Sequence, residues 1–261
     1  MVPGPAWHDG SGGIRVRVFA DYHTHTVLSH GTGTVADNAG AAAAKGLLAV
    51  GIADHGPSNW FGVGVQNLAV FQQLVQEVDR CRRQFDGLKI LAGTEANIIS
   101  YDGELDVPPA VQRQLDQVLV GFHTQIRPKT WRVGWRFVSA SLLARLSQSL
   151  RRRARVANTK ALVEAMARNK IDIITHPGLK LAIDTEELAR ASARFGVALE
   201  INARHGVKSL AFVRTAARAG AVFAIGSDAH QPSAVGDLAP AIRVAELAGL
   251  GTNQVINAYP E

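Results

Sequence analysis

The sequence predicts an α/β fold, a single barrel of seven βα units, and two observations carry that prediction. Seven short apolar runs recur along the 261 residues: VFADYHTH (18–25), LLAVGIADH (47–55), ILAGTE (90–95), VLVGFH (118–123), IDIITH (171–176), VALE (197–200) and VFAIGSDAH (222–230). Apolar runs this short, rich in Val and Ile and bounded by Gly, Asp or Pro, read as strands buried on both faces. Helical stretches separate most of them, so the strands are expected to be parallel, with their C-terminal ends meeting at one rim. The second observation is that every run closes on His, Glu or Asp. A βα barrel gathers its chemistry at that rim.

The helices between the runs announce their ends. Thr34 is placed to cap a helix running through the alanines to Lys45, with Gly46 as its stop. Asn67 is placed to cap a helix reaching Gln84, and Thr159 to cap ALVEAMARN before the Ile171 strand. Asp184 with Glu187 three residues later resembles a capping box, and Gly196 ends that helix. The helices at 209–219 and 238–248 stop at Gly220 and Gly249. With no internal repeat and no interdomain linker, 14–261 reads as one domain. The first 13 residues, MVPGPAWHDGSGG, are too polar and rich in Gly and Pro for a signal peptide and are expected to form a flexible tail.

Composition narrows the function. At 47% hydrophobic the chain can bury a large core. A single cysteine, Cys81, excludes an internal disulfide framework and a cysteine zinc site, and fits a cytoplasmic location. The most apolar stretch, 39–53, is broken by Lys45 and Gly46, so no membrane span is expected. The net charge of +6 is local: 125–156 holds nine Lys and Arg, including Arg127, and no acid. Without those nine, 19 basic residues face 22 acidic ones, a balance of −3. Apolar positions Phe137, Leu142, Leu143, Leu146 and Leu150 give this basic segment the pattern of an amphipathic helix. It reads as a helical insertion packed on the barrel or as a basic lid over an anionic substrate. A surface for nucleic acid or anionic lipid is the alternative.

The strand ends supply the candidate site. In extended backbone, alternate residues face the same side, so His23 and His25 can reach one cation, and Asp228 and His230 repeat that spacing. His30 follows in a Gly-rich loop, Asp54 and His55 end the second run, Glu95 the third, and His123 and His176 the next two. Imidazole and carboxylate are ligands that divalent Zn, Mn and Fe accept. Seven imidazoles and at least two carboxylates are too many for one four-coordinate ion, so two or three metals are expected, with Glu95 able to bridge. His8 and His205 read as ordinary polar residues.

The ordered motifs HTHTVLSHG, ADHG, GTEANI, GFH, THPG, LEIN and GSDAH resemble the PHP (polymerase and histidinol phosphatase) family, in its free-standing bacterial phosphatase branch. The resemblance spans about 21–259. It implies a distorted seven-stranded (βα)7 barrel and a trinuclear metal centre. By that likeness one ion takes His23, His25, Glu95 and Asp228, a second His30, His55 and His230, and a third Glu95, His123 and His176. The basic segment is expanded relative to that branch.

The expected chemistry is hydrolysis of a small phosphomonoester, of which histidinol phosphate is one, by in-line attack of a metal-bound hydroxide. Glu95, Asp228 and His230 are the expected catalytic residues. Lys180, Arg204 and Arg127, each just past a strand end, are expected to meet phosphate, and Glu200 to order a histidine or the loop bearing Arg204. Two rivals are a nuclease or nucleic-acid-associated module and an amidohydrolase-like C–N hydrolase. The latter would want an eighth strand and often a bridging lysine, and neither is found.

Overall fold

The computed structural model describes residues 16–59, 62–123, 126–127, 130, 147–179 and 181–260. Seven strands form one sheet in sequence order: β1 (Ala20–Thr24), β2 (Ala49–His55), β3 (Lys89–Asn97), β4 (Gln117–Gly121), β5 (Ile173–Ile174), β6 (Ala198–Asn202) and β7 (Phe223–Gly226). Every neighbouring pair is parallel, as the spacing of the apolar runs predicts. The ends of the sheet meet: Thr24 pairs with Ala229, and the His25 N–H donates to the Ala229 carbonyl at 2.8 Å. Asn257 seals the same seam, donating to the Ala20 and Ile225 carbonyls and accepting from the Ile225 N–H. The result is a nearly closed seven-stranded barrel.

Among the described residues the helices are α1 (Val35–Ala44), α2 (Val70–Arg82), the short α3 (Pro109–Gln112), α4 (Gln148–Arg168), α5 (Thr185–Phe195), α6 (Leu210–Arg218) and α7 (Ala239–Ala248). None is long and apolar enough to cross a membrane. Thr34 caps α1 and exchanges hydrogen bonds with Asp37. Asp184 caps α5 through the Glu187 N–H, and Gly196 and Gly249 end α5 and α7 in the left-handed conformation.

Two helix starts differ from the sequence expectation. The α2 helix begins at Val70, and Asn67 instead accepts from the Ala69 N–H in the turn before it. Thr159 lies inside α4 rather than at its start. The arginine-rich stretch favours helix, and Ala154, Asn158, Ala161, Leu162 and Ala165 form one continuous buried face, so nothing breaks the helix at 159. The last part of the predicted insertion, from Gln148, is therefore the first half of α4. The amphipathic pattern at 137–146 and the tail at 1–13 lie outside the described residues.

The main core lies between the sheet and its helices, and a smaller apolar layer fills the barrel: Ala53, Leu119, Ile173, Ala198 and Ala224, with Tyr22 and Val222 against them. Gln117 spans this interior, its amide reaching the Tyr22 carbonyl, and Gly51 and Gly93 leave the space it occupies. Alternation then turns each strand polar towards its C-terminal end: Ala53 gives way to His55, Gly93 to Glu95, and Ala198 to Glu200.

Candidate metal centre

The polar rim begins with β1. Between Asp21 and Thr24 this strand carries one residue more than β2, a bulge of the kind that re-aims side chains. Tyr22 stays in the apolar layer, while His23 and His25 both enter the rim, their Nε2 atoms 3.1 Å apart. Asp54, at the end of β2, accepts from the Thr26 N–H, the Thr26 hydroxyl and the Ser29 hydroxyl. Those bonds fold the loop back and carry His30 to within 4.9 Å of the His55 ring and 4.2 Å of the His230 ring, centroid to centroid.

Glu95 stands at the centre, fully buried. Its Oε2 is 3.2 Å from His23 Nε2, 3.1 Å from His55 Nδ1 and 3.7 Å from His25 Nε2. Its Oε1 is 3.0 Å from His176 Nε2 and 3.3 Å from His123 Nε2. Asp228 Oδ1 lies 3.3 Å from His25 Nε2 and 3.8 Å from His23 Nε2. Ligand-type atoms gather in three overlapping groups, each within 4.8 Å: His25, His55 and His230; His23, His25 and Glu95; and His55, Glu95 and His123. All nine residues expected as ligands therefore converge. Gly121 makes room for this: a methyl group there would meet the His123 ring and the Glu95 carboxylate.

Polar residues behind the rim fix its histidines. The His23 Nδ1–H donates to Glu200 Oε1 at 2.6 Å, directing Nε2 at Glu95. Glu200 Oε2 accepts from the His176 N–H and from Asn202. The His123 Nδ1–H donates to Asn97 Oδ1, and Asn97 is itself held by Asp106. Thr175 donates to Glu95 Oε1. Among the described residues, the two with positive φ that are not glycine are His176 (31°) and Asp228 (55°), so backbone strain of about 1–3 kcal/mol apiece is concentrated at the site.

The charges follow from this packing. Burial opposes ionisation of Glu95, but the His55, His23 and His123 imidazoles outweigh it and hold the carboxyl well below the usual carboxylate range. Burial likewise opposes ionisation of Asp228, and His23 and His25 pull it down. Burial disfavours the charged form of His23, yet Glu200, Glu95 and Asp228 raise it well above an ordinary imidazole. Burial drives His55 well down, while burial with neighbouring imidazoles lowers His30 and His230 to about 4.

The residues fit divalent cations. The Nδ1 atoms of His25, His30 and His55 are buried without a hydrogen-bond partner. His55 Nδ1 approaches Glu95 to 3.1 Å yet makes no hydrogen bond to it. Buried nitrogens left so are unfavourable unless a cation takes their lone pairs. Nitrogen and oxygen donors of this kind suit Zn, Mn or Fe.

A cavity of about 450 Å³ opens above the cluster, lined by His30, His55, Glu95, His123, His176, Arg204, Asp228, His230 and apolar residues including Phe122 and Leu181. Arg204 Nη1 lies 3.0 Å from His230 Nδ1 and 3.5 Å from Asp228 Oδ2. Arg127 is exposed, donates its N–H to the Ser58 carbonyl and does not line this cavity. Lys180 lies outside the described residues. His205, read from sequence as an ordinary polar residue, lines the cavity with its ring 6.1 Å from that of His176. Asn97, Thr175 and Asn202 went unnoticed in the sequence. Strand alternation from Glu95 and Glu200 points to Asn97 and Asn202, but no local signal marks Asp106.

Fold and site together define a βα-barrel protein of the metal-binding hydrolase type. The chain belongs to the PHP domain family, whose model matches residues 21–207. It is similar to a protein of Shewanella frigidimarina named "Probable phosphatase", 31% identical over 94% of this chain and 91% of the relative. A Thermoanaerobacter protein of the same designation is also 31% identical, over 93% and 91%. Among solved structures, the histidinol phosphate phosphatase of Lactococcus lactis, complexed with zinc, L-histidinol and phosphate, shares the fold. Its TM-score is 0.59 at 16% identity, over 88% of this chain and 94% of that one.

Proposed function

We propose that this protein is a metal-dependent phosphatase that hydrolyses a small phosphomonoester at a trinuclear centre. The observation that carries the reading is the placement of Glu95, each carboxylate oxygen facing a different set of imidazoles at the floor of an open cavity. One cation would be held by His23, His25, Glu95 and Asp228, a second by His30, His55 and His230, and a third by Glu95, His123 and His176. The proximity of His55 to both His25 and Glu95 supports adjoining sets. The curated relatives named as phosphatases support the same chemistry.

When bound, Zn, Mn or Fe in such a centre would activate water and neutralise charge on phosphate oxygens. The chain does the rest. Glu95 spans the two sets of imidazoles, and Glu200 and Asn97 hold His23 and His123 with one ring nitrogen directed inwards. Asp228 and His230 flank the cavity beside Arg204, whose guanidinium would bind a phosphate oxygen. Arg204 is thus the favoured substrate contact. Lys180 and Arg127 remain proposals from sequence position. The lone thiol of Cys81 supports a cytoplasmic setting.

Metal analysis of the purified protein, with a screen of phosphorylated metabolites, tests this reading. Removing only a hydrogen-bond partner of a metal ligand costs roughly 10- to 100-fold. His123→Ala and Asp228→Ala should therefore cut turnover by at least about 100-fold, with far-ultraviolet circular dichroism unchanged. Undiminished turnover in either variant would refute the site.

A further inference from the structure

A second cavity, of about 770 Å³, lies beside the one over the cluster. The two share a wall, since His176, Leu179, Leu181, Ile183 and His205 line both. The rest of the second cavity is strongly basic. Arg151, Arg152 and Arg155 reach it from the first turns of α4, and Lys208 from the segment after β6. Among the described residues, Arg151, Arg152 and Lys208 make no ion pair, and Arg155 makes a long one, 3.9 Å to Asp184. The lining carboxylate, Glu200, is already engaged by His23 and His176. Three arginines in the opening turns of a helix also run against the helix dipole, which favours acids there. Their position does not serve the helix.

We propose that this basic cavity is a subsite for a second phosphate of the substrate, an inference that rests on the phosphatase reading. The preferred substrate is then a small molecule phosphorylated at both ends. One phosphate lies at the metal cluster, and the other lies against Arg151, Arg152 and Lys208. Guanidinium groups bind phosphate through paired, charge-assisted hydrogen bonds. A substrate ending in an ammonium group meets like charge in the same place. A neutral end gains no such contact.

The test uses the metal-loaded full chain and a matched pair of esters, pentyl phosphate and pentanediol bisphosphate. The ratio of their kcat/KM values should favour the bisphosphate by about tenfold or more and shrink as salt rises. The double variant Arg151→Gln/Arg152→Gln should bring the ratio close to one. Arg153→Gln, which removes the same charge from a residue that does not line the cavity, should leave it intact. Equal kcat/KM values in the unmodified protein, or a preference that survives the double variant, would overturn the subsite.

Calorimetric binding of pentane bisphosphonate against pentyl phosphonate gives a readout independent of turnover. Absence of any hydrolysis would refute the phosphatase reading alone. The subsite would still be supported by tighter bisphosphonate binding that the double variant weakens, and overturned by equal binding of the two. Tighter, steeply salt-dependent binding of a 5′-phosphorylated oligothymidylate than of the bisphosphonate would also overturn it, in favour of nucleic acid.

Discussion

Burial and neighbouring imidazoles hold His30 and His230 near a pKa of 4, so both rings are neutral at pH 7 and their lone pairs are available to a cation. The same shift governs the stability of the metal-free protein. In the unfolded chain these histidines titrate near about 6.5. Between that value and about 4 the unfolded state binds protons that the folded state refuses. Their stabilising contribution is complete above 6.5 and lost as the pH falls towards 4. His55, also driven down, acts in the same direction. His23 and His176 are shifted upwards, so they gain as the pH falls from 7. They oppose the trend until the unfolded histidines are fully protonated, at about 5.5, and below that they no longer do. Urea denaturation of chelator-treated protein should show stability decreasing from pH 5.5 to 4.5. A flat profile would contradict the neutral assignment of His30 and His230.

At the level of single elements, α4 shows both the reach and the limit of local pattern. Thr34 and Asp184 were legible as caps because each bonds to a backbone N–H three residues away. Thr159 was not, because its role is set by a partner distant in sequence. Its hydroxyl donates to the Arg155 carbonyl within the helix and accepts from the Asp184 N–H, pinning α4 to the start of α5. Thr159→Val keeps the shape and leaves that part-buried N–H without its protein partner, which should cost about 1 kcal/mol. The urea midpoint should fall with an unchanged slope. An unaltered midpoint would mean that the bond contributes nothing. The strands were easier to read, because burial on both faces writes a continuous apolar run and the rim interrupts it with a polar residue. The same alternation did not reveal Asp106, which acts on His123 through Asn97 and shares no strand with either.

For the molecule as a whole, the architecture and the nine clustered side chains were visible in the sequence, because a parallel barrel brings all strand ends to one side whatever their separation along the chain. The contacts that close the barrel were not, since they join 20–25 to 225–257. Asn257 carries much of the closure, with three buried hydrogen bonds between β1 and β7. Asn257→Ala should destabilise the protein by about 3 kcal/mol, measured by chemical denaturation, and loosen the seam on which His23, His25 and Asp228 sit. Full stability in this variant would show that strand pairing alone closes the barrel.

Gln117 lies across the inside of the barrel with its amide on the Tyr22 carbonyl, and an apolar layer that includes Leu119 and Ile173 fills the interior. Substrate and product then share the cavity above the cluster. Orthophosphate set free by each turnover departs by the route along which the next ester arrives, so its accumulation outside slows the whole cycle.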